Sequence, residues 1–187
     1  MANAGIVQVA LLLCFSTTAL SMSYNVLQVQ QRGSVSASWT LIWQLNGTLH
    51  NCLQDRMDFK FPKEVKLQKF QKEEAILVIH EMLQQIFDLF GRNFSSTGWN
   101  ETIIEKLSEE LSWQMDHLEP ALEKIMEEEK VTLKENTTLL HLKKYYLRIV
   151  QYLKAKLYSR CAWIVVRGHI LKNFSVLYKL THFVFKN

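Results

Sequence analysis

Much of the machinery that 187 residues could carry is missing from this chain. No stretch alternates apolar and polar residues over strand lengths between hairpin turns, so no sheet is read. There is no G-x-S-x-G elbow to aim a serine, no glycine-rich loop to cradle phosphate and no G-x-G-x-x-G turn for a dinucleotide. His80-Glu81 would open a zinc-protease motif, but Gln84 stands where the second histidine ligand is needed. The histidines at 50, 117, 141, 169 and 182 have no ligand spacing either. No metal, no cofactor and no enzyme are therefore predicted. Apolar runs are also short: none reaches the roughly 20 residues that cross a bilayer, so no membrane insertion is expected.

Cysteine is scarce, and its placement is informative. Of three cysteines, Cys14 falls in a short apolar run, Ile6 to Phe15, followed by Ala19-Leu20-Ser21 with small residues where a signal peptidase cuts. Residues 1–21 read as a secretory signal, although no Lys or Arg precedes the apolar run, and residues 22–187 read as the mature, secreted chain. Cleavage would leave Cys52 and Cys161. In an oxidising compartment a disulfide is the simplest reading of that pair, with two free thiols as the alternative. Five Asn-x-Ser/Thr acceptors, at Asn46, Asn93, Asn100, Asn136 and Asn173, agree with secretion. Asn100 and Asn93 flank a Ser/Gly-rich loop and are placed first for glycan; Asn173 lies within a helical pattern and is expected to stay bare.

Charge excludes less. The chain has 22 Lys and Arg against 18 Asp and Glu, a formal +4. Lys143, Lys144, Arg148, Lys154 and Lys156 surround Tyr145 and Tyr146, but the acidic block Glu127 to Glu129 lies just upstream. A solvated helix face fits this better than a nucleic-acid site, and a basic patch facing a protein partner stays open.

What the chain does have is helical periodicity, with 48% hydrophobic residues, enough for one domain burying roughly 70% of its unfolded surface. The weakest helix covers Tyr24 to Leu45, with Leu27, Leu41, Leu45, Ser34 and Ser38 sharing a face and Asn46-Gly47 ending it. Periodicity then lapses to about Gln68, a long connection for which Cys52 would be the anchor. A second helix runs from about Lys69 to Phe90 with Ala75, Ile79, Met82, Leu83, Ile86 and Phe90 inward, and Gly91 stops it. A third starts near Trp99, with Ile104, Leu107, Leu111, Leu118, Leu122 and Ile125 inward and a kink or break at Pro120. After a charged turn near Glu128 to Lys134, a fourth puts Leu139, Leu142, Tyr146, Ile149, Val150, Leu153 and Leu157 inward. The fifth opens at Cys161 with Trp163, Val166, Ile170, Phe174 and Leu177; Ile164, Leu171 and Lys172 lie off that stripe and should face solvent. Trp163 and Trp43 could stack on a ligand, though the stripe favours a core role for Trp163. Short connectors force antiparallel neighbours, and the long one permits a parallel crossover. The fold class is all-α: a five-helix, up-up-down-down bundle of cytokine type with a long first crossover loop.

Several segments in this order resemble the type I interferons: Met22-Ser-Tyr-Asn-Val-Leu, Ile42-Trp-Gln-Leu-Asn, Cys52-Leu-Gln-Asp-Arg, Ser96-Thr-Gly-Trp-Asn-Glu-Thr, His141-Leu-Lys-Lys-Tyr-Tyr and Cys161-Ala-Trp. The resemblance implies a Cys52 to Cys161 bridge and a monomeric antiviral cytokine. Such a ligand joins the two subunits of the type I interferon receptor, whose Janus kinases then phosphorylate STAT proteins. Carried over, it implies that Leu53, Arg56, Arg167, Gly168, Leu171 and Lys172 meet the tighter subunit. Phe87, Asp88, Arg92, Ile103 and Lys143 would meet the weaker one. The reading from another class is an amphipathic helical bundle that binds lipid surfaces, against which a bridge spanning so much of the chain argues.

Overall fold

The computed structural model describes residues 29–67, 70–129 and 137–186. The expected signal segment, Leu27 and the sequon at Asn136 lie outside them. Every regular element among the described residues is helical. Helix α1 covers residues 29–44. A 3-10 turn, η1 (Leu49–Asp55), and a short helix, α2 (Lys63–Leu67), occupy the long connection, where the lapse in periodicity had predicted neither. Then come α3 (Lys72–Phe90), a 3-10 turn η2 (Ser95–Thr97), α4 (Glu101–Glu129), α5 (Thr137–Ala155) and α6 (Arg160–Val184).

Hydrogen bonds between helix ends fix the directions. At one pole, Trp99 Nε1 at the start of α4 donates to Asn46 O beyond the end of α1, 2.7 Å, and Trp163 Nε1 near the start of α6 donates to Asn93 O beyond the end of α3, 2.8 Å. Ser96 Oγ donates to Tyr158 O beyond the end of α5 at the same pole. At the opposite pole, Arg32 of α1 and Lys72 of α3 donate to the carbonyls of Phe185 and Lys186, which follow α6. So α1 and α3 run up and α4 and α6 run down. The fifth long helix, α5, runs up beside α3.

The apolar stripes meet in one core. Trp163 is fully buried, stacked on Phe90 at 5.9 Å and edge-on to Trp99 at 5.8 Å, so three aromatic side chains close the pole where five helix ends converge. The inward residues read from periodicity in α3, α4 and α6 are all buried; a side chain of this size contributes roughly 1.5–3 kcal/mol when removed from water. Ser159 caps α6, its Oγ accepting from Ala162 N at 3.4 Å, a bond whose loss typically costs about 1 kcal/mol.

Three expectations need correction. Pro120 does not break its helix: α4 is continuous from Glu101 to Glu129, through the acidic block that had been read as a turn. The proline ring is exposed while Leu118, Leu122 and Ile125 stay buried, so apolar contacts on both sides carry the helix across one missing N–H. Leu157 is not inward but 87% exposed: α5 ends at Ala155, and Leu157 and Tyr158 take left-handed φ of 50° and 53° with Tyr158 N reaching back to Leu153 O at 2.8 Å. Ile164 does not face solvent; it is buried against Gly47, whose α carbon leaves no room for a side chain there. Tyr145 is buried with Tyr146 while the α5 cations around them are exposed, which agrees with a solvated helix face.

Candidate functional site

The long connection lies along α6. Cys52 and Cys161 are bonded, with Cα atoms 5.2 Å apart and 109 positions between them. From that anchor η1 continues over Gly168, where an added Cβ would stand 3.4 Å from Leu49 Cδ1; a larger residue would lift the turn off the helix. Farther along, His169 Nε2 is 2.8 Å from Met57 O, and Phe59 is buried edge-on to His169 and to Tyr152, 4.8 and 5.2 Å between centroids. α5 completes the hold. Arg148 donates from Nε and Nη2 to Phe59 O at 3.3 and 3.0 Å, Tyr152 Oη donates to Asp55 O at 2.6 Å, and Lys156 pairs with Asp55 at 2.8 Å.

Leu53 and Arg56 are among the side chains that this fixed strap exposes, with Met57 and Leu49 also partly bare. Leu53 is 54% exposed and Arg56 is exposed, while its backbone N–H is spent on Leu53 O. Beside them α6 presents Lys172, exposed, and Leu171, which is half-buried against the core rather than free of it. Thus Gly168 lies under Leu49 of η1 and Lys172 lies within electrostatic reach of Asp58 on the strap, with Leu171 between them in the sequence of α6.

Arg167 belongs to that region in a different way. It is only 9% exposed, and its guanidinium donates to three carbonyls at the end of α1: Nε to Ile42 O at 2.9 Å, Nη2 to Trp43 O at 3.0 Å and Nη1 to Gly47 O at 3.3 Å. Ile42 O, which also accepts from Leu45 N at 3.3 Å, and Trp43 O belong to the last turn of α1, whose final carbonyls lack i+4 donors, and Gly47 O follows just beyond, so a cation at the negative end of α1 ties them together. Burial lowers its pKa, yet arginine keeps its charge. Its guanidinium also sits 5.8 Å from the ring centroid of Trp43, which is 62% exposed. Sequence reading treated Trp43 only as a possible stacking residue and did not connect it to this face. The available signal was a tryptophan at the last turn of a helix, on none of its apolar stripe positions.

The second residue set lies on α3, α4 and α5. Phe87 and Ile103 are half-buried against the core, Asp88 is exposed, and Arg92 is half-buried with no hydrogen-bond partner at Nε among the described residues. Lys143 pairs with Glu81 at 3.5 Å, two turns before Asp88 on α3, so the set extends for about 10 Å along the helix.

The sequons separate by burial. Asn46, Asn93 and Asn100 are exposed. Asn100 caps the first turn of α4 with its oxygen, accepting from Thr102 N at 2.9 Å, and leaves the nitrogen that would carry sugar out of that bond. Asn93 likewise accepts from Ser95 N at 3.0 Å. Asn173 is 2% exposed, accepting from Tyr145 Oη at 3.3 Å and donating to Tyr146 Oη at 3.0 Å, so the folded core has no room for a glycan there. Burial pushes both phenols upward, Tyr146 well above its usual value, and they remain neutral donors and acceptors.

No helix among the described residues is long and apolar enough to cross a membrane, and no group of three His, Cys, Asp or Glu among them could hold a metal ion. A bundle with a long parallel crossover, whose exposed groups gather on surfaces rather than in a cleft, has the architecture of a helical cytokine. The Interferon alpha/beta domain matches residues 27–184, and the chain belongs to that family. It is 57% identical over 185 residues to Interferon beta-2 of Bos taurus and 54% identical over 185 residues to Interferon beta of Homo sapiens; each alignment covers 98% of this chain and 99% of the relative. Interferon beta of Felis catus is 58% identical over 180 residues, 96% of both chains. Among solved structures, zebrafish interferon 2 shares the fold at a TM-score of 0.64 and 21% identity, covering 79% of this chain and 97% of that one. The protein is accordingly a type I interferon cytokine and not an enzyme.

Proposed function

We propose that this cytokine is secreted after loss of residues 1–21 and acts by joining the two subunits of the type I interferon receptor, so that their Janus kinases phosphorylate STAT proteins and antiviral genes are induced. The tighter subunit docks on Leu53, Arg56, Gly168, Leu171 and Lys172, with Arg167 holding the end of α1 beneath them. The weaker one docks on Phe87, Asp88, Arg92, Ile103 and Lys143. One observation carries this reading: an exposed leucine and arginine stand on a strap already fixed by a disulfide, so little ordering cost remains to be met on binding. Asn100, Asn93, Asn46 and Asn136 are the positions proposed for glycan, all outside both residue sets.

Interface energy concentrates in a few apolar and arginine anchors, with truncation costing roughly 2 kcal/mol at each. Arg56→Ala and Leu171→Ala are each expected to weaken binding to the tighter subunit about thirtyfold. Arg56→Ala leaves the melting temperature in place. Leu171→Ala lowers it less than Ile170→Ala, which opens a core cavity and costs roughly 2 to 5 kcal/mol. Surface binding to purified receptor ectodomains, run beside thermal melts, decides the assignment; wild-type affinity in both anchor variants refutes it.

A further inference from the structure

Among the groups that hold the strap, one is a histidine, the side chain whose ordinary pKa of 6.5 lies nearest neutral pH, and it has no part in the receptor sets above. His169 reaches from α6 to Met57 O, and its ring lies against Phe59, whose own carbonyl is gripped by Arg148. A carbonyl can only accept, so Nε2 must carry the proton and, in the neutral ring, Nδ1 is bare. This places a neutral imidazole at the midpoint of the segment that begins at Arg56 and ends at Lys60, where the backbone takes a left-handed φ of 52°.

We infer that His169 is a positioning residue for the receptor-facing strap, and that its protonation loosens the strap and shortens receptor contact in acid. The inference rests on the receptor reading above for its second half only. A second proton creates a full charge on a half-buried ring packed against Phe59. The charged and titratable groups around it are unevenly helpful. Lys172, one turn along α6, opposes the charge, whereas Arg148, across Phe59 on α5, has its guanidinium committed to the carbonyls of Phe59 and Lys60. Asp58 on the strap favours it, but Asp58 is exposed to water and its oxygen already accepts from Lys60 N at 3.0 Å. The phenols of Tyr145 and Tyr152 stay neutral, that of Tyr152 pushed up to about 12.

Burial is the first cause and Lys172 adds to it: together they hold the His169 pKa below its ordinary 6.5, despite the bond to Met57 O. The sign follows. The docked strap prefers the neutral ring, so docking is fully favoured above the ordinary value and weakens as pH falls below it toward the lowered one. Such a window lies where acidified compartments lie.

The test uses the full, glycosylated chain. Hydrogen exchange at the amides of Met57 to Lys60, corrected for intrinsic pH dependence, is measured at pH 7.4 and 5.5 in wild type, His169→Gln and His169→Ala. Wild type should exchange severalfold faster in acid. His169→Gln keeps a donor for Met57 O without a titrating group and should show no such change, while His169→Ala should exchange fast at both values. Dissociation from the tighter subunit's ectodomain should quicken severalfold at pH 5.5 for wild type and not for His169→Gln. Wild-type exchange that ignores pH, or an acid response retained in His169→Gln, overturns the inference. Acid-opened exchange without a matching change in dissociation overturns its receptor half and counts against Arg56 and Leu171 as anchors, leaving the latch itself intact.

Discussion

Helix α1 has two unlike flanks. Toward α6, its end is fitted closely: three carbonyls meet one guanidinium, Gly47 touches Ile164, and the strap beyond is bonded through Cys52. Toward α4, the contact is a polar seam. Gln31 Nε2 donates to Gln114 O at 3.2 Å, Gln114 Nε2 donates to Ser38 Oγ at 2.9 Å, and Ser34 Oγ meets the Glu110 carboxylate. Both glutamine side-chain oxygens are buried without a hydrogen-bond partner among the described residues, and an open groove of about 420 Å³ lies on the same seam between Gly33, Ala37 and Trp113. A buried polar group left unpaired costs stability that a paired one does not. The closely fitted flank coincides with the proposed tighter receptor surface, which teaches that rigidity here is concentrated where a partner is to be met.

Breaking the fitted flank should have the largest effect. In the chain-entropy account a bridge closing a loop of this size contributes about 4 to 5 kcal/mol, so Cys52→Ser is expected to lower the denaturant midpoint severely or abolish folding. Peptide mapping without reductant checks the premise by recovering the Cys52 to Cys161 pair. Arg167→Met keeps the volume and withdraws the donors from three carbonyls. It should cost about 1.5 to 3 kcal/mol in urea unfolding, the range for hydrogen bonds to a charged group, and loss of less than that would show that water substitutes for the guanidinium. The sharpest and smallest contrast is between two glycines, one on each flank. Gly33, helical and with nothing within 4 Å of an added Cβ, should tolerate Gly33→Ala with a gain of about 0.5 to 1 kcal/mol from the α4 flank. Gly47 has φ of 134°, and its Cβ would stand 2.6 Å from Ile164 Cγ1, so Gly47→Ala should destabilise. Equal melting shifts of one sign would dissolve the distinction between the flanks.

The same contrast marks how far the sequence could be read. Helices with one wet side announce themselves, and the inward positions of α3 and α4 followed from a 3.6-residue period. The period fails where a helix is covered on several sides: Ala162 through Arg167 are buried without interruption, so a single stripe puts Ile164 in solvent and says nothing of the burial of Arg167, whose partner role is implied by the resemblance alone. Nor does the identity of Arg167 disclose its mates, because backbone carbonyls are the same at every residue. The docking of Phe59 and His169 was invisible for a related reason, since the strap has no repeat from which a face could be inferred. The bridge and the buried Asn173, by contrast, were accessible, one from cysteine count and the other from its position in a helical pattern.

The strap also has a place in time. Each of its holdfasts arrives late: Arg148 is 89 positions after Phe59, Cys161 is 109 after Cys52, and Arg167 is 125 after Ile42. A chain emerging in order of synthesis, at roughly 5 to 20 residues each second, therefore presents Leu53 and Arg56 as loose polypeptide for several seconds before anything exists to seat them. The fitted flank cannot be built piecewise. Any product that ends before Arg160 contains the proposed strap anchors in full and none of the α6 contacts that fix them, so completeness of the last helix is itself a condition for a competent surface.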